Sequence, residues 1–252
     1  MKKTLIILPG WGGTKETWAT FVQIATESFD VHIIELPCFG EEPCPNEVWG
    51  VEEYSNFVKN RISEIPKRDA VPSGLYVQNP KSEICLLGHS FGGQVATYLV
   101  AYNPNLVDKL ILSGASVFRR RKKVKQIVCG ALAKVGKIIF SIPGPSKLDF
   151  VARKILYRLA QSPDYLKTNG IQREIFKKIT VQNVSSELPK IKIPTLVVWG
   201  DTDTYVPIAE GKKIASGIPH AQLQIISGGT HGLHIKNTEQ LFKIIKKFAS
   251  GV

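Results

Sequence analysis

Ser90 stands in Leu87-Gly88-His89-Ser90-Phe91-Gly92-Gly93, with a glycine two positions away on each side. A serine hydroxyl attacks a carbonyl carbon only when a base takes its proton, and the base needs an acid to orient it. Residues that could complete such a set lie far downstream. His231 and His234 occur in Gly228-Gly229-Thr230-His231-Gly232-Leu233-His234, and Asp201 and Asp203 in Gly200-Asp201-Thr202-Asp203-Thr204-Tyr205-Val206-Pro207. The chemistry of that set is acyl transfer through a covalent serine intermediate. Gly-x-Ser-x-Gly alone arises by chance in roughly one chain in ten of this length. Position must therefore decide whether Ser90 is a nucleophile or a residue in a tight turn.

The elements around these residues can be read from apolar periodicity. Short apolar runs at Leu5–Leu8, Val31–Leu36, Ile84–Leu87, Leu110–Leu112, Leu196–Trp199 and Leu223–Ile226 lack polar alternation. Such runs suit strands buried on both faces. Helix-like stretches at about 15–28, 49–65, 91–103, 207–218 and 238–249 lie between them. The alternation predicts an α/β fold, a mostly parallel central sheet with helices on both faces. Right-handed crossovers place every strand's C-terminal end at one edge, where ligands bind. Ser90 follows one strand, Asp201 and Asp203 another, and the two histidines the last. All are expected at that edge.

The other candidates are weaker. His32 lies in a strand run and His220 at the start of one, and His89, adjoining Ser90, should point elsewhere on the turn. His231, flanked by Thr230 and Gly232, is preferred as the base over His234, which is expected beside the site or at the surface. Asp201 and Asp203 qualify equally by location, and either could be a turn or N-cap residue.

The alternation breaks between 117 and 186. That segment holds sixteen Lys and Arg against three Asp and Glu, a net of +13, while the rest of the chain carries −1. It opens on Arg119–Lys123. Apolar residues then recur at i, i+3, i+4 from Val124 to Ile139, again around Val151–Leu159, and over Ile171–Ile179. These are amphipathic helix faces. Helices without strands, inserted in an α/β alternation, predict a basic helical cap over 117–186. The core is then 1–116 and 187–252. Nucleic-acid binding is not expected, because no aromatic or fold motif accompanies the charge.

The 252 residues, 43% hydrophobic and 21% charged, fit a globular domain with an insertion. Met1-Lys2-Lys3 is followed by only Leu5–Leu8 before Pro9-Gly10. A secretory leader needs about 7–15 apolar residues and a membrane span about 20, so a cytoplasmic protein is expected. Of the four cysteines, Cys85 lies in a strand run and reads as a buried small apolar residue. A Cys38–Cys44 disulfide is possible but needs an oxidising compartment.

Four motifs in order resemble the α/β-hydrolase superfamily, in its capped esterase and carbon–carbon hydrolase branch. Leu8-Pro9-Gly10-Trp11-Gly12-Gly13 is similar to the family's His-Gly oxyanion loop. Glu35-Leu36-Pro37-Cys38-Phe39-Gly40 resembles its Asp-Leu-Pro-Gly-x-Gly loop. Gly88–Gly92 resembles the nucleophile elbow, and Gly200–Pro207 resembles Gly-x-x-Asp-x-x-Val-Pro. That last alignment selects Asp203 as the acid, and the resemblance places His231 at the family's Gly-His position. Pro9 and Cys38 depart from the pattern, the first strand run stands where the family has its third strand, and 66–83 is a longer link than the family needs.

The resemblance implies catalytic Ser90, Asp203 and His231, backbone N–H groups of Trp11 and Phe91 as the oxyanion hole, and no metal or organic cofactor. It implies a serine carboxylesterase-type hydrolase (EC 3.1.1) for small to medium acyl esters or lactones. The competing functions are a carbon–carbon bond hydrolase or acyltransferase on the same triad, and a non-catalytic binding protein. The basic cap could add a weak contact with an anionic membrane surface or an acidic partner.

Overall fold

A computed structural model describes residues 2–65, 83–118 and 168–251. Six strands form one sheet: β1 (Lys3–Leu8), β2 (Phe29–Ile33), β3 (Ile84–His89), β4 (Lys109–Ser113), β5 (Thr195–Gly200) and β6 (Gln222–Ile226). Their order is β2-β1-β3-β4-β5-β6, and every pair is parallel. The α/β-hydrolase expectation of a parallel sheet flanked by helices holds. All six apolar runs became strands, with one shift. β2 pairs with β1 from Phe29 and ends at Ile33, short of the expected Leu36.

The continuous apolar runs are explained by burial on both faces. Along β1, Ile6 and Leu8 face one cluster while Leu5 and Ile7 face the other. Along β5, Val197 and Trp199 face the first, and Leu196 and Val198 the second. The first cluster is closed by α2 (Val51–Glu64), α3 (Phe91–Tyr102), α4 (Gly170–Val181) and α5 (Ile208–Gly217). The second is closed by α1 (Lys15–Ala25), the short α6 (Leu233–Lys236) and α7 (Thr238–Ser250). A parallel sheet thus hides both sides from water.

Strand order reverses between β1 and β3. The chain first winds outward to β2, then returns across β1 to build the rest. A crevice opens at such a reversal beyond the strands' C-terminal ends. The loop after β1 carries Gly10 and Trp11, and the turn after β3 carries Ser90. Both border that crevice.

Cys38 and Cys44 form a disulfide, the pairing the sequence left open. Cys38 has φ +79°, a left-handed conformation that favours glycine, the residue the family pattern has there. Cys85 is buried on β3 as expected. Of the expected basic segment, 119–167 lies outside the described residues, and with it the first two amphipathic helices. The third is present as α4. The link from 66 to 82 also lies outside them. Among the described residues no helix is long and apolar enough to cross a membrane.

Candidate active site

Ser90 sits where β3 turns sharply into α3, with φ 51° and ψ −115°. A non-glycine residue held there is strained, and the surroundings must impose it. They do so through the backbone. The Ser90 N–H donates to Ser113 O at 3.1 Å, and the Ser90 carbonyl accepts from Gly93, Gln94 and Ser116 N–H groups at 3.0–3.2 Å. Gly92 has no alternative. A Cβ there would lie 2.2 Å from Leu8 O and 2.4 Å from Pro9 O, so only glycine lets α3 approach the end of β1.

Asp203 is held in the loop after β5. Its Oδ1 accepts the N–H groups of Tyr205 and Val206 at 2.8 and 2.9 Å. Its Oδ2 faces His231 Nδ1 at 2.7 Å, and its side chain is 1% exposed. Asp201, the other aspartate in the loop, is exposed. The β5 and β6 loops are tied together by Thr202, whose N–H and Oγ1 both donate to Gly229 O. His231 therefore reaches Asp203 from a braced turn. Gly114, at φ +56°, leaves room beside the imidazole, since a Cβ there would be 3.1 Å from His231 Nδ1.

With Nδ1 directed at Asp203, the His231 Nε2 is left for another partner. Ser90 and His231 line one cavity of about 360 Å³. Trp11, Phe91, Phe118, Phe176 and Ile179 form its apolar wall. Trp11 anchors that wall, packed 5.8 Å from Phe91, 5.0 Å from Phe176 and 4.7 Å from Phe39 between ring centroids. The described lining includes no Asp, Glu, Lys or Arg. Among the described residues, no group of His, Cys, Asp and Glu is arranged to hold a metal ion.

Two further histidines lie beside His231: His234, in one of its two expected places, and His89, contrary to the expectation that it points elsewhere on the turn. His89 is buried, its Nδ1 at 2.9 Å from Ser113 O and its ring 4.8 Å from both His231 and His234. His234 is also buried, which corrects the surface option expected for it, and stacks on Trp18 at 4.0 Å. Burial is the largest cause holding the His89 pKa well below the ordinary imidazole value, with nearby imidazoles adding to it. Burial likewise pushes the His234 pKa down to about 4. Both stay neutral at neutral pH beside His231. His32 lies on the edge strand β2, near Asp30, and His220 is in the exposed turn before β6. Tyr205, stacked on His231, was also not singled out by its residue type.

Glu35, in the second family-like loop, is a buried carboxylate that accepts the N–H groups of Lys15 and Glu41. It fastens the Cys38 loop to α1. That loop reaches α4 as well, because Gln172 Nε2 donates to Cys38 O at 3.2 Å.

A family model described as "Serine aminopeptidase, S33" matches residues 1–238. Among curated proteins, the chain is 22% identical to a pimeloyl-[acyl-carrier protein] methyl ester esterase of Vibrio atlanticus, over 97% of this chain and 93% of that one. It is also 22% identical to a 2-hydroxy-6-oxononadienedioate/2-hydroxy-6-oxononatrienedioate hydrolase of Cupriavidus pinatubonensis, over 98% and 86%. Among solved structures, a bacterial membrane phospholipase A superposes with a TM-score of 0.71 at 20% identity, covering 99% of this chain and 79% of that one.

Proposed function

The chain belongs to the serine aminopeptidase family of α/β-hydrolases, and from that premise we propose that it hydrolyses neutral carboxylic esters, lactones included, through an acyl-enzyme on Ser90. What chiefly supports this is the 2.7 Å His231–Asp203 contact, with His231 lining the same cavity as Ser90. Ser90 Oγ attacks the acyl carbon and its proton passes to His231 Nε2. The C–O bond to the leaving group breaks, and His231 returns the proton to that alcohol. Water, deprotonated by His231, then cleaves the Ser90 ester and releases the acid. Asp203 fixes the His231 tautomer and faces the imidazolium. The N–H groups of Trp11 and Phe91 receive the oxyanion, each worth about 3–4 kcal/mol in a dry site.

In this reading residues 1–116 and 187–252 are the catalytic core and 117–186 the cap. The described part of that cap supports it, since α4 brings Phe176, Ile179 and Thr180 to the cavity. Peptide N-termini and dicarboxylates fit the described lining less well than neutral esters do. An ammonium or a second carboxylate needs a counter-charge, and the described lining carries none. A carbon–carbon hydrolase acting on a dienedioate, as one relative's name says, would need such a cation.

Labelling with a fluorophosphonate tests the nucleophile. Folded wild type should be labelled on Ser90, and Ser90→Ala should not. Wild type that is folded yet unlabelled overturns the reading.

A further inference from the structure

Tyr205 is an aromatic residue at the cavity rim that is half exposed. Its backbone N–H donates to Asp203 Oδ1, which fixes the main chain two residues after the acid. Its side chain then lies over His231, with ring centroids 5.2 Å apart and planes 19° from parallel. We infer that Tyr205 is a positioning residue for the reaction: the face of its ring stabilises the imidazolium that His231 becomes when it takes the Ser90 proton. The inference rests on the proposed Ser90 chemistry.

The physical basis is the negative face of the aromatic quadrupole, which attracts a cation within about 6 Å of the ring centre. The groups facing His231 make this contribution visible. Asp203 supplies the carboxylate at Nδ1. His89, at the end of β3, and His234, on α6, are held neutral by burial, so neither imidazole adds a competing charge at neutral pH. The Tyr205 phenol ring covers the imidazole from the β5 loop. Because Tyr205 is half exposed, replacing its side chain costs little buried packing, and the variants should fold.

The bland alternative is that Tyr205 only keeps water from His231. A set of three variants separates the two. Leucine preserves an apolar cover without a π face, phenylalanine preserves the face without the hydroxyl, and alanine removes both. The readout is the rate of fluorophosphonate labelling from pH 5 to 9, which needs no knowledge of the natural substrate. In that reaction Ser90 Oγ bonds to phosphorus, the P–F bond breaks, fluoride leaves, and the serine proton goes to His231.

Both Tyr205→Ala and Tyr205→Leu should lower the plateau rate about two- to fivefold. In both, the pH of half-maximal rate should fall by about 0.4–0.7. The sign follows from the charge: an imidazolium that has lost its aromatic face gives up its proton at lower pH and is a weaker base. Tyr205→Phe should match wild type in both measures. An unmoved midpoint in Tyr205→Leu, or a Tyr205→Phe variant that behaves like Tyr205→Ala, overturns the inference while leaving the Ser90 assignment standing. Absence of labelling in wild type removes both.

Discussion

Three imidazoles meet at the edge of the sheet, yet only His231 has a carboxylate at hydrogen-bonding distance. The other two are kept neutral by burial, and that has a thermodynamic consequence. The His234 pKa falls from 6.5 to about 4 on folding, so between those values the unfolded chain binds more protons than the folded one. Stability is unaffected by this group above pH 6.5, falls as pH drops through the window, and the loss is complete below about 4. The shift corresponds to about 3 kcal/mol, and His89 acts in the same direction. His234→Phe, which can keep the stack on Trp18, should therefore lose less stability than wild type between pH 6.5 and 4. Urea midpoints across that range check it, and parallel curves for the two proteins would count against it. The placement of Ser90, Asp203 and His231 at one sheet edge was legible, because each follows a strand and fits a spaced motif, and the triad proposed for them rests on that placement. His234 was legible as a residue beside the site, but the burial of His89 and His234 was not, since it depends on Ser113 and Trp18, which are distant in the chain.

The elements that carry these residues were largely legible for a simple reason. Strands buried on both sides read as unbroken apolar runs, and the helices between them keep a 3.6-residue period. What periodicity cannot show is how closely two backbones pass. The first turn of α3 crosses the end of β1 with no room for a side chain at Gly92. A Gly92→Ala substitution should force the β1 loop away from α3. The expected cost lies at or beyond the upper end of the roughly 1–3 kcal/mol typical of overpacking, because the opposing atoms are backbone oxygens. Labelling of Ser90 should slow in the same variant, since the displaced loop carries Trp11. Denaturant midpoints and labelling rates measure the two effects, and wild-type values for both would refute the close approach. The Cys38–Cys44 pairing was legible only as one possibility, since spacing alone does not report that Cys38 takes a left-handed conformation in that loop.

At the scale of the whole molecule, two charge effects oppose each other. Residues 117–186 concentrate +13 of the net +12, against −1 elsewhere, while the described lining of the cavity is uncharged. A basic segment draws anionic substrates toward the protein, and such steering can raise encounter rates about 10–1,000-fold at low salt. At physiological ionic strength the Debye length is about 8 Å, and most of that advantage is screened. Burying a carboxylate without a partner costs several kcal/mol and is screened far less. Desolvation should therefore win inside the cavity. Nitrophenyl hexanoate should be cleaved with a kcat/KM at least about 100-fold above that of the nitrophenyl half-ester of adipic acid, which has the same chain length. The ratio should shrink as salt is lowered, because only the anionic ester gains from steering. Equal rates at 0.15 M salt would mean that a cation reaches the acyl chain and that the substrate is an anion, and a ratio insensitive to salt would mean that the basic segment does not steer.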